Sequence, residues 1–355
     1  MPGILRSKTG YVLVFVIIIF VISVAGGVLG DKFGGGFLGA PIAHIQLPAE
    51  PLHEEELFSG FKVTNTMLTT WAAILVITTL SFFATRRMND VPRGLQNLFE
   101  AIIEFFMELA TSIAGPEKAR RFLPLSMTIF IFIVTANWMG ILPGFGTIGR
   151  IESAEHVKHH AKDKYGDDVD LSTVKLQIFD VVGGISVLLP GSVGPESETD
   201  YKKYKDHSQT EVNEDKKVGL LVPYLRSANT EVNTTLAIAI VAMVMIHFWG
   251  FRTLGVFGHA GKFLNFKGGP VALFVGILEI ISEVARLISF TFRLFGNIFA
   301  GEVLLIAIAF LLPLIGIIPF LGLELFVGLI QALIFSILTL VFAALSTTGH
   351  DSEHH

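Results

Sequence analysis

Long apolar runs alternate with short charged segments along most of the chain. Runs with few or no charges extend over residues 11–30, 65–84, 123–142, 233–250, 271–312 and 319–345. A helix needs about 20 apolar residues to cross the hydrocarbon core of a bilayer. The pattern therefore predicts an all-α polytopic membrane protein with about five to six membrane helices.

The run over 271–312 is longer than a bilayer is thick. About 40 residues at 1.5 Å each make a helix of about 60 Å, roughly twice the hydrocarbon core. Such a helix must tilt strongly or kink. Pro313 and Pro319 follow the run and mark a turn, because proline is excluded from helix interiors. The two last runs are therefore expected to form a long helical hairpin.

Residues 95–114 carry a different pattern. Apolar positions recur with the helical period, and Glu100, Glu104 and Glu108 form a polar stripe four residues apart. The segment is predicted to be an amphipathic helix lying at the membrane interface.

Basic residues near the apolar runs indicate the orientation. Arg6 and Lys8 precede the first run, and Arg86 and Arg87 follow the second. The positive-inside rule then places both termini in the cytoplasm. The first run is interpreted as a retained anchor, since the apolar core of a cleaved signal peptide usually spans only about 7–15 residues; a signal peptide is the alternative.

The polar segments divide the chain into five regions. These are an N-terminal anchor with an external segment (1–62), a membrane helix, interfacial helix and membrane helix (63–149), a polar external insert (150–220), a membrane helix with a cytoplasmic loop (221–268), and the hairpin with a short cytoplasmic tail (269–355).

The insert is interpreted as a small external domain or an ordered loop. Glu152, Glu155, His156, His159 and His160 could follow one helix, and His156 and His160 have a spacing that can hold zinc. A closed zinc site needs four ligands in fixed geometry. A solvated helix is favoured, and no metal site is predicted.

Composition narrows the class further. Of 355 residues, 52% are hydrophobic and only 16% are charged, whereas soluble domains carry about 25% charged residues. The net charge of −5 gives no indication of nucleic-acid binding, and the absence of cysteine excludes disulfides and thiolate metal sites. The chain also lacks a phosphate-binding G-x-x-x-x-G-K-[ST] loop, so no nucleotide or other cofactor is predicted.

A cation inside the hairpin is the main candidate for chemistry. Arg293 in mid-membrane would cost from about 3 to more than 10 kcal/mol, so intramembrane ionisable residues are usually functional. At 100° per residue, Ser289, Arg293 and Asn297 share one helix face and Glu302 points to roughly the opposite face. A structural strut, with Arg293 paired to Glu279 or Glu302, is the alternative interpretation.

Three stretches resemble a known family. They are Phe292-Arg-Leu-Phe-Gly-Asn-Ile-Phe-Ala-Gly-Glu302, Arg226-Ser-Ala-Asn-Thr-Glu-Val-Asn-Thr-Thr-Leu236 and Leu329-Ile-Gln-Ala-Leu-Ile-Phe335. The chain from about residue 65 to the C-terminus resembles the a subunit of F-type ATP synthases, the stator half of the membrane proton channel. The N-terminal apolar segment and the insert depart from the shorter bacterial pattern.

The resemblance implies a set of roles. Arg293 would face a c-subunit ring, with Ser289 and Asn297 positioning the site, and two long tilted helices would curve around that ring. Proton translocation through an outer half-channel would use Glu302, Glu324 and Gln331, with Asn233 as a further lining residue. Antiparallel pairing of the hairpin is expected to bring Gln331 level with Glu302.

The resemblance also implies partners and a location. The chain would be a non-catalytic subunit that couples proton flow to rotary ATP synthesis carried out elsewhere in the F1F0 complex. Expected partners are the c-subunit ring, the b-subunit peripheral stalk, which the 95–114 helix is a candidate to contact, and the lipid of a bacterial inner membrane. The sequence leaves open whether H⁺ or Na⁺ is the coupling ion.

Two other functions are compatible with a buried arginine. A secondary transporter could use it to bind an anionic substrate at the midplane, although such proteins often show internal repeats and none is evident here. A membrane scaffold with buried ion pairs is the third possibility.

Overall fold

The computed structural model describes residues 8–27, 30, 48–52, 61–153, 177–180, 185–187, 211–213, 216–263 and 269–348. Within these residues the chain is dominated by helices. The helices are α1 (Lys8–Gly26), α2 (Asn65–Thr85), α3 (Leu95–Ala114), α4 (Pro116–Gly140), α5 (Val232–Phe263), α6 (Gly269–Leu311) and α7 (Ile317–Ser346). Five of them, α2 and α4 to α7, are long and apolar enough to cross a membrane. The prediction of an all-α polytopic membrane protein is confirmed.

Most helix boundaries fall close to the ends of the apolar runs. The two exceptions are helices that extend beyond them. Helix α4 begins at Pro116, ahead of the apolar run, where proline is tolerated because the first helical N–H needs no partner. Helix α5 continues to Phe263 through a break at Gly255, whose φ of 74° is a backbone conformation that favours glycine.

The chain divides into two compact units. The first comprises Met1–Thr66, Gly140–Arg226 and Ala300–Leu325, and the second comprises Met67–Met139, Ser227–Phe299 and Phe326–His355.

The first unit contains a sheet that the sequence did not predict. Strands β1 (Ile148–Ser153), β2 (Gln177–Asp180), β3 (Ser186–Val187), β4 (Glu211–Asn213) and β5 (Lys216–Pro223) pair antiparallel in the order β2-β5-β1-β3, with β4 also on β5. The strands are short and pair residues far apart in sequence, which local periodicity does not detect.

The sheet corrects one expectation about the insert. Glu152 lies in β1, paired with Leu220 of β5, and is not on a helix. His156 and His160, the residues with zinc-like spacing, lie outside the described residues, as do Glu155 and His159.

The turn between α6 and α7 also belongs to the first unit, and α1 packs against it. The Ser23 hydroxyl, which is fully buried, accepts a hydrogen bond of 3.2 Å from the backbone N–H of Leu314. Pro313 lies in the turn, and Pro319 lies in the first turn of α7, where its missing N–H leaves no hydrogen bond unmade. The predicted position of the turn is correct.

The second unit holds a continuous hydrophobic core. Its largest members come from five helices: Phe106 on α3, Ile133 on α4, Ile246 on α5, Phe290 and Leu294 on α6, and Phe335 and Leu340 on α7. The apolar face of α3 buries Phe106 and Ala110 in this core, while Glu100, Glu104 and Glu108 remain outside it. The amphipathic pattern predicted for 95–114 is confirmed.

Candidate functional site

Arg293 lies on an exposed face of α6, in the second unit. Its guanidinium Nη2 donates one hydrogen bond of 3.3 Å to Ser289 Oγ, one helical turn earlier, and this is its only hydrogen bond among the described residues. No carboxylate of the described chain pairs with it. The strut interpretation needed Glu279 or Glu302 as a partner; Glu279 is exposed, and Glu302 binds another arginine.

Helix α6, which carries Arg293, exposes many large apolar side chains. Phe292, beside it in sequence, is 56% exposed. Other large apolar side chains of α6 are also exposed, namely Phe274, Leu278, Ile281, Val284 and Ile288. An exposed apolar surface of this kind favours contact with lipid or with a partner helix. Arg293 adds an exposed positive charge to the same helix.

Asn297 and Gln331 bind each other in the second unit. Asn297 Nδ2 donates to Gln331 Oε1 at 2.7 Å, and Gln331 is only 3% exposed. The expectation that Gln331 lies level with Glu302 is therefore wrong, since Gln331 faces Asn297. Helix α7 also packs closely against α4 at Gly328, where a Cβ atom would lie 3.1 Å from the Cβ of Asn137.

A chain of amides joins α4, α7 and the 3₁₀ turn Ala228–Thr230. Asn137 Nδ2 donates to the carbonyl of Gly328 at 3.1 Å, and Asn229 Nδ2 donates to Asn137 Oδ1 at 2.7 Å. Asn137 thus joins α4 to α7, and the side chain of Asn229 joins the 3₁₀ turn to α4.

Asn233 lies in the first turn of α5 and is exposed. Its Nδ2 donates to Glu231 Oε1 at 2.9 Å. The two residues thus form one polar group at the start of the helix. The hydroxyl of Thr230 donates to the carbonyl of Ser227 at 2.7 Å.

Another polar group of the second unit lies near the break of helix α5 at Gly255. His247 Nδ1 and His259 Nε2 are 3.2 Å apart, and His247 Nε2 lies 3.6 Å from Glu283 Oε2. Arg286 pairs with Glu283, and its guanidinium lies 4.0 Å from the ring centroid of Phe342. Arg286 is thus occupied within the chain, unlike Arg293.

The first unit contains a bidentate ion pair. Arg226 Nε donates to both carboxylate oxygens of Glu302 at 3.0 and 3.1 Å, and Nη2 donates to Oε2 at 3.0 Å. The Arg226 side chain is 5% exposed and that of Glu302 is 25% exposed. Arg226 Nη1 also donates to the carbonyl of Pro48 at 3.4 Å. Such planar pairing is the strong form of a carboxylate hydrogen bond.

Glu324 lies beside this pair. Its half-buried carboxylate interacts electrostatically with Glu302. It also lies against Gly301, so closely that a Cβ atom at position 301 would overlap it. The expected proximity of Glu302 and Glu324 therefore holds in the structure.

A third carboxyl group joins this cluster from the N-terminal side. Glu50 is 7% exposed, and Asn65 Nδ2 approaches its Oε2 at 3.5 Å. Burial raises the pKa of Glu50 to about 7, although Arg226 opposes the shift; Glu152 and Glu302 raise it further and Arg150 lowers it.

Two members of the cluster were missed by the sequence reasoning. Arg226 stands in a motif that was recognised, but its role was not, because its partner Glu302 is 76 residues away. Glu50 lies in a short Pro-Ala-Glu-Pro segment with no periodic pattern. The opposite charges of Arg226, ahead of one apolar run, and Glu302, inside another, are the only signal that could have suggested the pair.

Comparison with known proteins agrees with the earlier resemblance. The family described as ATP synthase A chain matches residues 67–344. Similar proteins include ATP synthase subunit a of Gloeobacter violaceus, 28% identical over 82% of this chain and 86% of that protein. ATP synthase subunit a of Mycobacterium bovis is 30% identical over 85% of this chain and 94% of that protein.

Proposed function

The chain belongs to the family of ATP synthase A chains, and from that membership we propose that it forms the stationary half of a proton path across a bacterial inner membrane. Members of this family are subunit a of the F0 sector, so the chain is a multi-pass membrane protein of an ATP synthase. The finer roles of its residues form the proposal.

Arg293 faces a ring of c subunits in this proposal. A carboxyl group on each c subunit carries a proton, and the fixed charge of Arg293 favours the ionised form of an arriving carboxyl, so that it releases its proton. Arginine suits this task because it stays charged when it is desolvated. The same charge prevents protons from passing directly between the two half-channels. Ser289 positions the guanidinium through its hydrogen bond.

Glu302 and Glu324 line the outer half-channel. Ionisable groups inside a membrane protein commonly mark ion pathways, and these two carboxylates lie next to each other. Arg226 positions Glu302 and limits its rotamers through the bidentate pair. Gln331 and Asn297 form a polar contact of their own, and Asn233 with Glu231 provides a polar group where α5 begins.

The other proposals follow from family membership. The subunit itself carries out no chemistry on ATP, which takes place on partner subunits. Its partners are the c-subunit ring, the b-subunit peripheral stalk and the rest of the F1F0 complex. Basic residues beside the apolar runs support cytoplasmic termini and an external insert.

The observation that carries the proposal is the exposed Arg293, which no carboxylate of the described residues neutralises, on a helix that exposes many apolar side chains. The test is ATP-driven proton pumping in vesicles that contain the whole complex. Arg293→Ala and Arg293→Lys should each abolish pumping and leave assembly intact. Arg252→Ala removes another exposed arginine, on α5, and should pump at the normal rate.

Normal pumping by Arg293→Ala would refute the assigned role. Purification of the complex with its ring-forming proteolipid provides a second check. A chain that purifies without such a partner and transports an anionic solute would instead be a secondary transporter.

A further inference from the structure

Glu50 is a buried carboxyl group with no role in the proton path proposed for Arg293, Glu302 and Glu324. It lies outside the membrane-spanning helices, in the described segment 48–52. This segment pairs with the residues that lead into α2: the Leu52 N–H donates to the Val63 carbonyl at 2.8 Å, and the Asn65 N–H donates to the Glu50 carbonyl at 3.0 Å. The backbone of Glu50 is therefore held in place, and its side chain is 7% exposed.

Arg226 connects Glu50 to the acid pair. Its Nη1 binds the Pro48 carbonyl, two residues before Glu50, while its Nε and Nη2 hold Glu302. Glu50 interacts electrostatically with both Arg226 and Glu302. The guanidinium thus binds the Glu302 carboxylate directly and the segment that carries Glu50 through its backbone, and Glu302 in turn interacts with Glu324.

The charges around Glu50 permit it to take up and release protons near neutrality. Burial is the largest influence and raises its pKa to about 7, against the attraction of Arg226. Glu152 on β1 and Glu302 on α6 raise the pKa further, and Arg150 on β1 lowers it. A group whose pKa lies near the ambient pH is the most effective in proton transfer.

We propose that Glu50 is a proton-collecting group that loads the Glu302–Glu324 pair. A hydronium ion from the surrounding water gives its proton to the Glu50 carboxylate and is left as a water molecule. The carboxyl O–H then breaks, the proton passes through water to the Glu302 carboxylate, and the regenerated Glu50 carboxylate takes the next proton. Arg226 is the positioning residue. This inference rests on the proposed function, because it extends the same outer half-channel.

The test uses the whole complex in vesicles, with proton conduction measured as a function of the pH on the insert side. Glu50→Gln should slow conduction roughly tenfold or more, because a positioned proton-transfer group usually contributes at least that much. Wild-type conduction should show an inflection near pH 7, since above its pKa the protonated fraction falls about tenfold per pH unit. Glu50→Gln should lose this inflection.

A matched pair of variants separates proton transfer from a structural role. Glutamine keeps the shape and hydrogen-bonding capacity of Glu50 but cannot exchange a carboxyl proton, so a purely structural Glu50 would leave the pH profile unchanged. Glu50→Asp should conserve an inflection and move it, and an unmoved inflection would contradict the proposal even if Glu50→Gln failed to assemble. Glu152→Gln, which removes a neighbouring acid on β1, should keep most of the conduction.

Arg293→Ala in the same vesicles separates failure of the role proposed for Glu50 from failure of the proposed function. Blocked pumping by Arg293→Ala together with unchanged conduction and inflection in Glu50→Gln would overturn only the role of Glu50. Normal pumping by Arg293→Ala would overturn the proposed function itself.

Discussion

Two arginines occupy contrasting surroundings in the two units. Arg226 is 5% exposed and donates three hydrogen bonds to Glu302 and one to Pro48. Arg293 is exposed, bonds only to Ser289 within the described chain, and lies on a helix that exposes many apolar side chains. The two side chains are chemically identical, yet within the described residues a carboxylate neutralises Arg226 and none neutralises Arg293.

The difference separates a structural cation from one that awaits a partner. A buried charge must be paired, because desolvation costs several kcal/mol that only a close opposite charge offsets. Arg226 meets that condition inside the chain and positions a carboxylate. Arg293 has no carboxylate partner among the described residues, which supports the proposal that a carboxyl group of the c-subunit ring faces it.

Replacing each arginine separately should give the largest contrast between the two sites. Arg226→Ala should lower stability by up to about 3–5 kcal/mol, because it leaves Glu302 unpaired; partial exposure of Glu302 reduces this cost. Arg293→Ala should leave stability nearly unchanged and abolish pumping. Thermal unfolding of the purified complex, measured beside pumping, checks both expectations. Equal loss of stability in the two variants would remove the distinction.

The carboxyl groups of Glu302 and Glu324 provide a second test, in the unit that contains Arg226. Glu302→Gln and Glu324→Gln should each reduce pumping, and the double variant should lose less than the sum of the two single losses, since residues of one unit are commonly non-additive. A double-mutant cycle on the pumping rate measures this coupling. Passive proton leak should stay low in all three variants because Arg293 remains. Full pumping in both single variants would make these acids structural.

Gly301 offers a steric test of the same site. A methyl group there would overlap the Glu324 carboxylate, so Gly301→Ala should displace Glu324 and slow pumping without removing any charge. Gly296→Ala on the same helix is the control, because no atom lies within 4 Å of a Cβ at that position. Similar pumping by the two variants would show that the contact with Gly301 is unimportant.

The amide chain of the second unit should contribute a smaller amount. Asn137→Ala leaves the Asn229 donor and the Gly328 carbonyl without their partner, which costs about 1–3 kcal/mol for a buried group. Thermal unfolding of the complex measures the loss. Thr128→Ala is a suitable control because its hydroxyl is exposed and bonds only within α4, to Pro124. An equal change in both variants would mean that the amide chain adds no stability.

The least effect is expected from cutting the insert. Its predicted external position means that protease added to intact spheroplasts should cleave between residues 150 and 220. Cleavage only in inverted vesicles would reverse the predicted orientation. Either result leaves the contrast between the two arginines intact.

The apolar pattern by itself determined the membrane helices. Helix α2 ends at Thr85, next to Arg86 and Arg87, because charged side chains must leave the hydrocarbon core. The glutamate stripe of α3 likewise predicted which face would be buried. The motif around Arg293 was sufficient to identify the family, since its residues are contiguous in sequence.

Tertiary structure decided everything that depends on partners far apart in the chain. Arg226 and Glu302 are joined across 76 residues, and the strands of the insert are too short to reveal their pairing. The partner of Gln331 is Asn297 and not Glu302. The periodicity of apolar residues indicates which face of a helix is buried. It does not indicate which residues of two packed helices lie opposite each other.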